Sequence, residues 1–303
     1  MKSATALLLA SSLLHSAAAG VVLFEDTFDR DDSRNIDATL TGITDHTGSA
    51  LPADGVYSQP WLDPNNGPPA YGVQDGASTN GGGAQVLSHQ LQLAVGSGTS
   101  NAYINHNFVN ASILSAGGFS VTIDVTGYNQ AARQQGGGFA VGMSAAEAAT
   151  AADPWETTTP TMVAAWTNDP YGFLGAPVGP DPTNVVSDFW IGIRGNNSLA
   201  WGSNTGTVQG VANLGFKTGT ISVDFTMTDF NAGSTVNYEV FLNDVSRGTG
   251  SFTWSDTDAN YIGLDARDNT GVAFDNFRIE TIPEASATVL LGLGVLGLLR
   301  RRR

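Results

Sequence analysis

Apolar and polar side chains alternate one by one along several stretches of this 303-residue chain, and that period of two decides what it can fold into. Phe119, Val121, Ile123 and Val125 alternate with Ser120, Thr122 and Asp124, and Ile221, Val223, Phe225 and Met227 alternate with Ser222, Asp224, Thr226 and Thr228. A third run sets Val236, Tyr238, Val240 and Leu242 against Asn237, Glu239 and Phe241. Successive side chains of a strand leave opposite faces of the pleat, so each run reads as an antiparallel strand with one face on a core. Further strands are expected at 23–28, 85–95, 101–109, 139–143, 188–194, 250–254, 261–265 and 272–280, about eleven in all. Asn243-Asp244 lies between two runs and predicts a hairpin turn. The predicted class is all-β, a sandwich or barrel. Trp190, Trp201 and Trp254 fall near strands and are expected in the core or on a sheet face. One helix is expected at 144–152, where Ser144 caps an alanine-rich run with Glu147 three residues on and Asp153-Pro154 ends it.

Prolines separate frame from loops. Of the 12, five fall within 52–69 and six within 154–182, and the last is Pro283. Proline cannot donate to a sheet ladder, so these two windows predict long irregular loops on a rigid frame, where binding commonly resides. Tyr57, Trp61 and Tyr71 lie in or beside the first window, and Trp155, Trp166 and Tyr171 in or beside the second. Indole and phenol rings stack on the apolar faces of sugars, which makes Trp61, Tyr71, Trp155 and Trp166 the candidate ligand-binding residues; covering the sandwich edges is their alternative role.

The chain has no cysteine, which excludes disulfides, thiolate metal sites and a cysteine nucleophile. Between residues 21 and 281, eight of the 13 basic residues remain against 27 of the 28 acidic ones, a net charge of about −19 with Lys217 as the one lysine. Nucleic acid is therefore not an expected partner, because phosphate binding requires clustered cations. The scattered acids suit a solvated surface or affinity for divalent cations.

Both ends carry addresses. Lys2, the apolar run 4–14 and Ala17-Ala18-Ala19 have the order of a secretory signal peptide, assigned to 1–19. At the other end, 282–303 holds Pro283-Glu284, an apolar segment at 285–299 and Arg300, Arg301, Arg302 and Arg303. As a helix the apolar segment spans about 22 Å, less than the roughly 30 Å of a bilayer core. The arginines nevertheless hold its far end in the cytoplasm and leave the preceding chain outside.

This three-part order resembles the PEP-CTERM sorting signal. The resemblance implies recognition by an exosortase-type membrane enzyme, cleavage near Pro283-Glu284, and delivery to the cell surface or extracellular polymer matrix. One position departs from the pattern, Ala285 standing where a second proline is usual. A simple membrane anchor is the alternative.

The frame between the ends, 21–281, carries LFEDTFDR, GGFSVTIDV, TVNYEVFLNDVSRGTGSFTW and YIGLDARDNTGVAFDNFRIE. These stretches resemble the concanavalin A-like lectin and glucanase sandwiches in their laminin-G-like form. The resemblance implies a jelly roll with first and last strands adjacent, and it leaves function open.

Catalytic patterns are scarce. A glucanase of that fold needs two glutamates flanking an aspartate on one strand, and Glu25, Glu147, Glu156, Glu239 and Glu280 offer no E-x-D-x-x-E. Asp29 with Asp31 or Asp32 is the remaining carboxylate pairing of note. His46, His89 and His106 show no zinc-site spacing, although His89 and His106 fall on neighbouring expected strands and could meet. Gly292, Gly294 and Gly297 match a dinucleotide fingerprint but lie inside the terminal apolar segment, so close helix packing is their expected role. Asp256, Asp258 and Asn260 begin like a calcium loop that Tyr261 and Arg267 then break. Jelly-roll modules clamp their termini with calcium, and the resemblance thereby implies a structural calcium held by Asp26, Asp275 and Asn276; a self-capped Asp-Asn turn is the alternative.

Together these readings predict an exported, non-catalytic surface or matrix protein that binds polysaccharide or supports adhesion and reaches the membrane through its C-terminal segment. A polysaccharide-active enzyme with an Asp-based site and a purely structural surface protein are the alternatives.

Overall fold

Strands account for nearly all of the regular structure. The computed structural model describes residues 20–33, 35–37, 39–45, 55–58, 84–93, 99–128, 136–148, 187–194, 197–204, 208–267 and 272–282. Among them the chain forms β1 (Val22–Asp26), β2 (Ile43–Asp45), β3 (Tyr57–Ser58), β4 (Gln85–Val86), β5 (Leu91–Leu93), β6 (Thr99–Ile104), β7 (Gly118–Tyr128) and β8 (Gly136–Met143). It continues through β9 (Phe189–Arg194), β10 (Ser198–Ser203), β11 (Val208–Val211), β12 (Gly219–Thr226), β13 (Thr235–Leu242), β14 (Val245–Thr253), β15 (Tyr261–Arg267) and β16 (Val272–Thr281). Two short helices accompany them, α1 (Ala111–Ala116) and α2 (Ala145–Ala148).

These strands form two sheets, antiparallel in every described pairing. The first runs β14-β13-β12-β7-β16-β1-β2, with β5 also paired to β16 and β4 to β5; the second runs β11-β10-β9-β8-β15-β6-β3. The first and last strands are adjacent, as the jelly-roll resemblance implies, with Glu25 opposite Arg278. In β7 and β12 the alternation does its expected work: Val121 lies opposite Val223 and Ile123 opposite Ile221, all buried, while Thr122 and Ser222 face outward and share a 3.0 Å hydrogen bond. The inward side chains of both sheets fill one core. Phe189 of β9 meets Phe225 of β12 edge-on, with ring centroids 5.1 Å apart, so the two layers are joined by aromatic contact.

Besides the three-residue β5, three longer strands depart from one-faced burial. In β8, β9 and β10 every position is buried. Ala140, Trp190 and Ala200 are buried yet lie outside the cluster that fills the space between the sheets. A strand covered on both faces has no reason to alternate, which is why β10 escapes detection by period. Trp190, Trp201 and Trp254 are all buried. The expected strand at 85–95 is two short strands about a turn in which Ser88 and His89 take positive φ of 55° and 59°. Asn243 and Asp244 form the hairpin turn with φ of 52° and 60°, the left-handed pair that matches strand twist.

Around α2, Ser144 and Glu147 form the reciprocal capping box: Glu147 Oε2 accepts from Ser144 N at 2.8 Å, and Ser144 Oγ accepts from Glu147 N at 3.3 Å. Helix α1 is unforeseen; its caps are Asn110, which accepts from Ser112 N at 2.7 Å, and Gly117 at φ 80°.

Gly142 is required where it stands. Its φ is +77°, and a Cβ there would come within 2.5 Å of Asp188 Cβ and 2.8 Å of the Trp254 ring. Gly142→Ala is expected to cost about 1–3 kcal/mol from backbone strain, with the clash adding to it, read as a lowered urea midpoint at unchanged slope.

Residues Val21–Ile282 form one compact unit. Inside the first proline window, residues 55–58 are described and carry β3 (Tyr57–Ser58), where an irregular loop was expected; the rest of that window, the second window, the expected signal peptide at 1–19 and the segment at 285–299 lie outside the described residues. No helix among the described residues is long and apolar enough to cross a membrane.

Candidate functional site

The site grows from an acid placed on the wrong side of a strand. In β1, Phe24 and Asp26 share the inward face, so Asp26 enters the core, where an unpaired carboxylate would be very costly. Arg30, itself 4% exposed, supplies the charge: its Nη1 lies 2.7 Å from Asp26 Oδ1 and its Nη2 3.0 Å from Oδ2. Phe28 N at 2.7 Å and Tyr57 Oη at 2.9 Å donate to the same carboxylate. Burial, and next the charge of Asp26, push the Tyr57 phenol well above its usual value, so it stays a donor. Arg30 Nε reaches the Ile36 carbonyl at 2.9 Å, which fixes the β1–β2 connection. Asp37, also buried, accepts from Tyr57 N at 2.7 Å and Gly55 N at 3.1 Å. The network joins β1 of the first sheet to β3 of the second.

Over this base the β1–β2 connection and the β4–β5 turn enclose an open cleft of about 470 Å³. Its lining includes Asp29, Asp31, Asp32, Asn35, Thr41 and His89. Asp32 Oδ1 accepts from Ser88 N at 2.7 Å and ties the two walls together. His89 Nδ1 stands 3.1 Å from Asp29 Oδ1 at the rim, where both side chains are exposed. Carboxylate, amide and hydroxyl groups converge here on a rigid footing, a set suited to hydrogen-bonding a hydroxyl-rich ligand.

The structure corrects two expectations. His89 and His106 do not meet: His89 sits in the β4–β5 turn of the first sheet, whereas His106 follows β6 in the second and packs on Phe108 at 4.8 Å. The residues expected to clamp calcium, Asp26, Asp275 and Asn276, are engaged by protein groups. Both oxygens of Asp26 are taken by Arg30, Phe28 and Tyr57. Asn276, at φ 49°, donates its amide to Asp124 Oδ2 at 2.9 Å, and its N–H donates to Asp275 Oδ1 at 2.8 Å, the self-capped Asp-Asn turn. Burial, followed by the charges of Asp124, Asp26 and Asp29, raises the Asp275 carboxyl against the lowering bond from Asn276. Among the described residues no group of three or more His, Cys, Asp or Glu could hold a metal ion.

Asp29, Asp31 and Asp32, read as a carboxylate pairing from sequence, are brought to one cleft. The role of Arg30 and Tyr57 was missed, and the available signal was an acid at an inward position of β1 with an arginine four residues on. Trp61, Tyr71, Trp155, Trp166, His46, Pro283, Glu284 and Arg300 to Arg303 lie outside the described residues.

Comparison with known proteins adds the following. Residues 281–303 match the family described as the PEP-CTERM protein-sorting motif. Among curated proteins none matches the sequence. The chain is similar to lectin II from Ulex europaeus, at TM-score 0.39 and 8% identity over 75% of this chain and 98% of that one. It is also similar to the legume lectin-like domain from Entamoeba histolytica, at TM-score 0.37 and 10% identity over 66% of this chain and 86% of that one. A third similar structure is the carbohydrate recognition domain of Emp46p in its potassium-bound form, at TM-score 0.38 and 10% identity over 65% of this chain and 84% of that one. The chain thus ends in a PEP-CTERM protein-sorting motif, which implies export and sorting through the membrane, and the domain ahead of that motif is an antiparallel two-sheet sandwich.

Proposed function

We propose that this is a non-catalytic cell-surface or extracellular-matrix protein whose sandwich binds carbohydrate and whose C-terminus is handled by an exosortase-type enzyme. The match of residues 281–303 to the sorting motif carries the reading. In it, the 1–19 peptide directs export, the 285–299 segment sits in the membrane while Arg300 to Arg303 remain cytoplasmic, and cleavage near Pro283-Glu284 frees the domain.

The carbohydrate part rests on the cleft. Neighbouring sugar hydroxyls each donate and accept, and Asp31, Asn35 and Thr41 offer both functions within one concavity. Trp61, Tyr71, Trp155 and Trp166 are proposed to add stacking surfaces. With about 19 excess negative charges between residues 21 and 281, neutral polysaccharides fit better than anionic ones. The lack of an E-x-D-x-x-E pairing supports the non-catalytic reading.

A glycan array probed with the purified protein tests the binding. Binding to at least one neutral glycan is expected, weakened about tenfold by Asp31→Ala or Trp155→Ala, since one well-made contact is worth about 1.4 kcal/mol. Silence across the array, with matrix retention unchanged in Trp61→Ala and Trp155→Ala, contradicts binding while leaving sorting intact. Release of reducing ends from any of the glycans replaces the binding reading with the enzymatic one.

A further inference from the structure

Strand β9 is entered through a carboxylate that neither the core nor the cleft employs. Asp188 is 1% exposed. Its N–H donates to the Val141 carbonyl at 3.1 Å, and its carbonyl accepts from Asn204 N at 3.0 Å. Oδ1 accepts from Asn204 Nδ2 at 2.6 Å, and Oδ2 from Ser255 N at 3.0 Å. This one residue therefore ties the end of β8 to the start of β9 through its backbone, and its carboxylate ties the residue after β10 to the turn after β14.

Among the described residues this carboxylate has no counter-charge. Gly142 lies against it with no room for a Cβ. No basic side chain pairs with it among the described residues. The titratable group that faces it is itself an acid, Glu147 on α2, which Asp256 after β14 bonds in turn. Ser187 Oγ, Asn204 Oδ1 and Asn260 Nδ2 are buried in the same region without a hydrogen-bond partner. A desolvated carboxylate beside like charge relieves both costs by taking up a proton.

We propose that Asp188 binds a proton as the domain folds and acts as the pin of an acid-tightened clasp joining β8, β9, the end of β10 and the β14–β15 turn. Burial is the main force that drives its carboxyl up to about 7 from 3.8, with Glu147 adding to it and the bonds from Ser255 and Asn204 opposing it. Glu147 is raised as well, by burial first and then by Asp256 against the lowering bonds from Ser144. The folded value exceeds the unfolded one, so the folded state holds the extra proton between about pH 4 and 7. The stabilisation is complete below that window, declines as the pH rises through it, and is gone above it, a change of about a thousandfold in the folding constant. The usual aspartate does the reverse.

Hydrogen exchange at the Ser255 amide, corrected for the intrinsic rate and measured on the purified protein at pH 5.5 and 8.5, tests the clasp. About a tenfold or greater loss of protection is expected at the higher pH, together with a carboxylic acid infrared band that titrates near neutrality. Asp188→Asn is expected to remove that band, and Glu147→Gln to move its midpoint to lower pH by deleting the neighbouring charge. Equal protection at both pH values, with no carboxyl of the wild-type protein titrating between them, overturns the proposal, and this wild-type result stands even where Asp188→Asn fails to fold.

Discussion

Asp26→Ala is expected to lower the unfolding free energy of the domain by about 3–5 kcal/mol, the range for breaking a buried ion pair on one side only. The reason is what stays behind. Arg30, 4% exposed, would keep its charge in the core with only the Ile36 and Thr41 carbonyls to receive it, and Tyr57 Oη and Phe28 N would lose their acceptor. Asp26→Asn keeps an acceptor oxygen but not the charge, so an intermediate loss is expected. The outer face supplies the contrast: Glu25, Arg278 and Glu280 make bonds of equal length, 2.8 Å, with about a third of each side chain in solvent. Glu25→Ala is accordingly expected to cost less than about 1 kcal/mol. Urea unfolding of the three variants measures the difference; equal losses for Asp26→Ala and Glu25→Ala would mean that burial does not set the cost here.

The same pair of residues shows how far the sequence could be read. The long strands β7, β12 and β13 are legible because one face meets the core and the other meets water, which writes a period of two into the residues. Where that asymmetry is lost the period goes with it: β8 and β9 show only as short apolar runs, β10, buried on both faces, was not expected, and β2 and β3 are too short to show a period. Helix α2 announced itself through a capping box, whereas α1 depends on an asparagine cap and a left-handed glycine that a loop would also use. Asp26 was read from the sequence as a calcium ligand, and in the fold its carboxylate is bonded by Arg30. The sequence shows an acid at an inward position and an arginine four residues away, but that the two meet is visible only in the folded connection between β1 and β2. The cleft was legible only as the run of acids at 29, 31 and 32, because its other wall, the β4–β5 turn, arrives from some 56 positions along the chain.

Removal of residues 283–303 is expected to abolish sorting while leaving the domain folded. Val21–Ile282 is one compact unit, and the last strand, β16, ends at Thr281, so the truncation removes no strand pairing among the described residues. Unfolding midpoints of the truncated and intact proteins should agree. The surface-associated fraction should fall about tenfold or more, because neither the membrane segment nor the motif remains to engage the sorting enzyme. Replacing Arg300 to Arg303 with glutamine separates the two roles: Pro283-Glu284 remains, but the positive charge that orients the segment is gone, and mislocalised unprocessed protein is expected. Normal surface delivery of the truncated protein would remove the motif from the explanation.

The most direct measurement is the intact mass of the protein recovered from cytosol, cell envelope and medium. Export with sorting predicts a chain in the envelope or medium that begins near Gly20 and ends near Pro283, without the four arginines. Full-length protein dissolved in the cytosol, with both termini untrimmed, would contradict it.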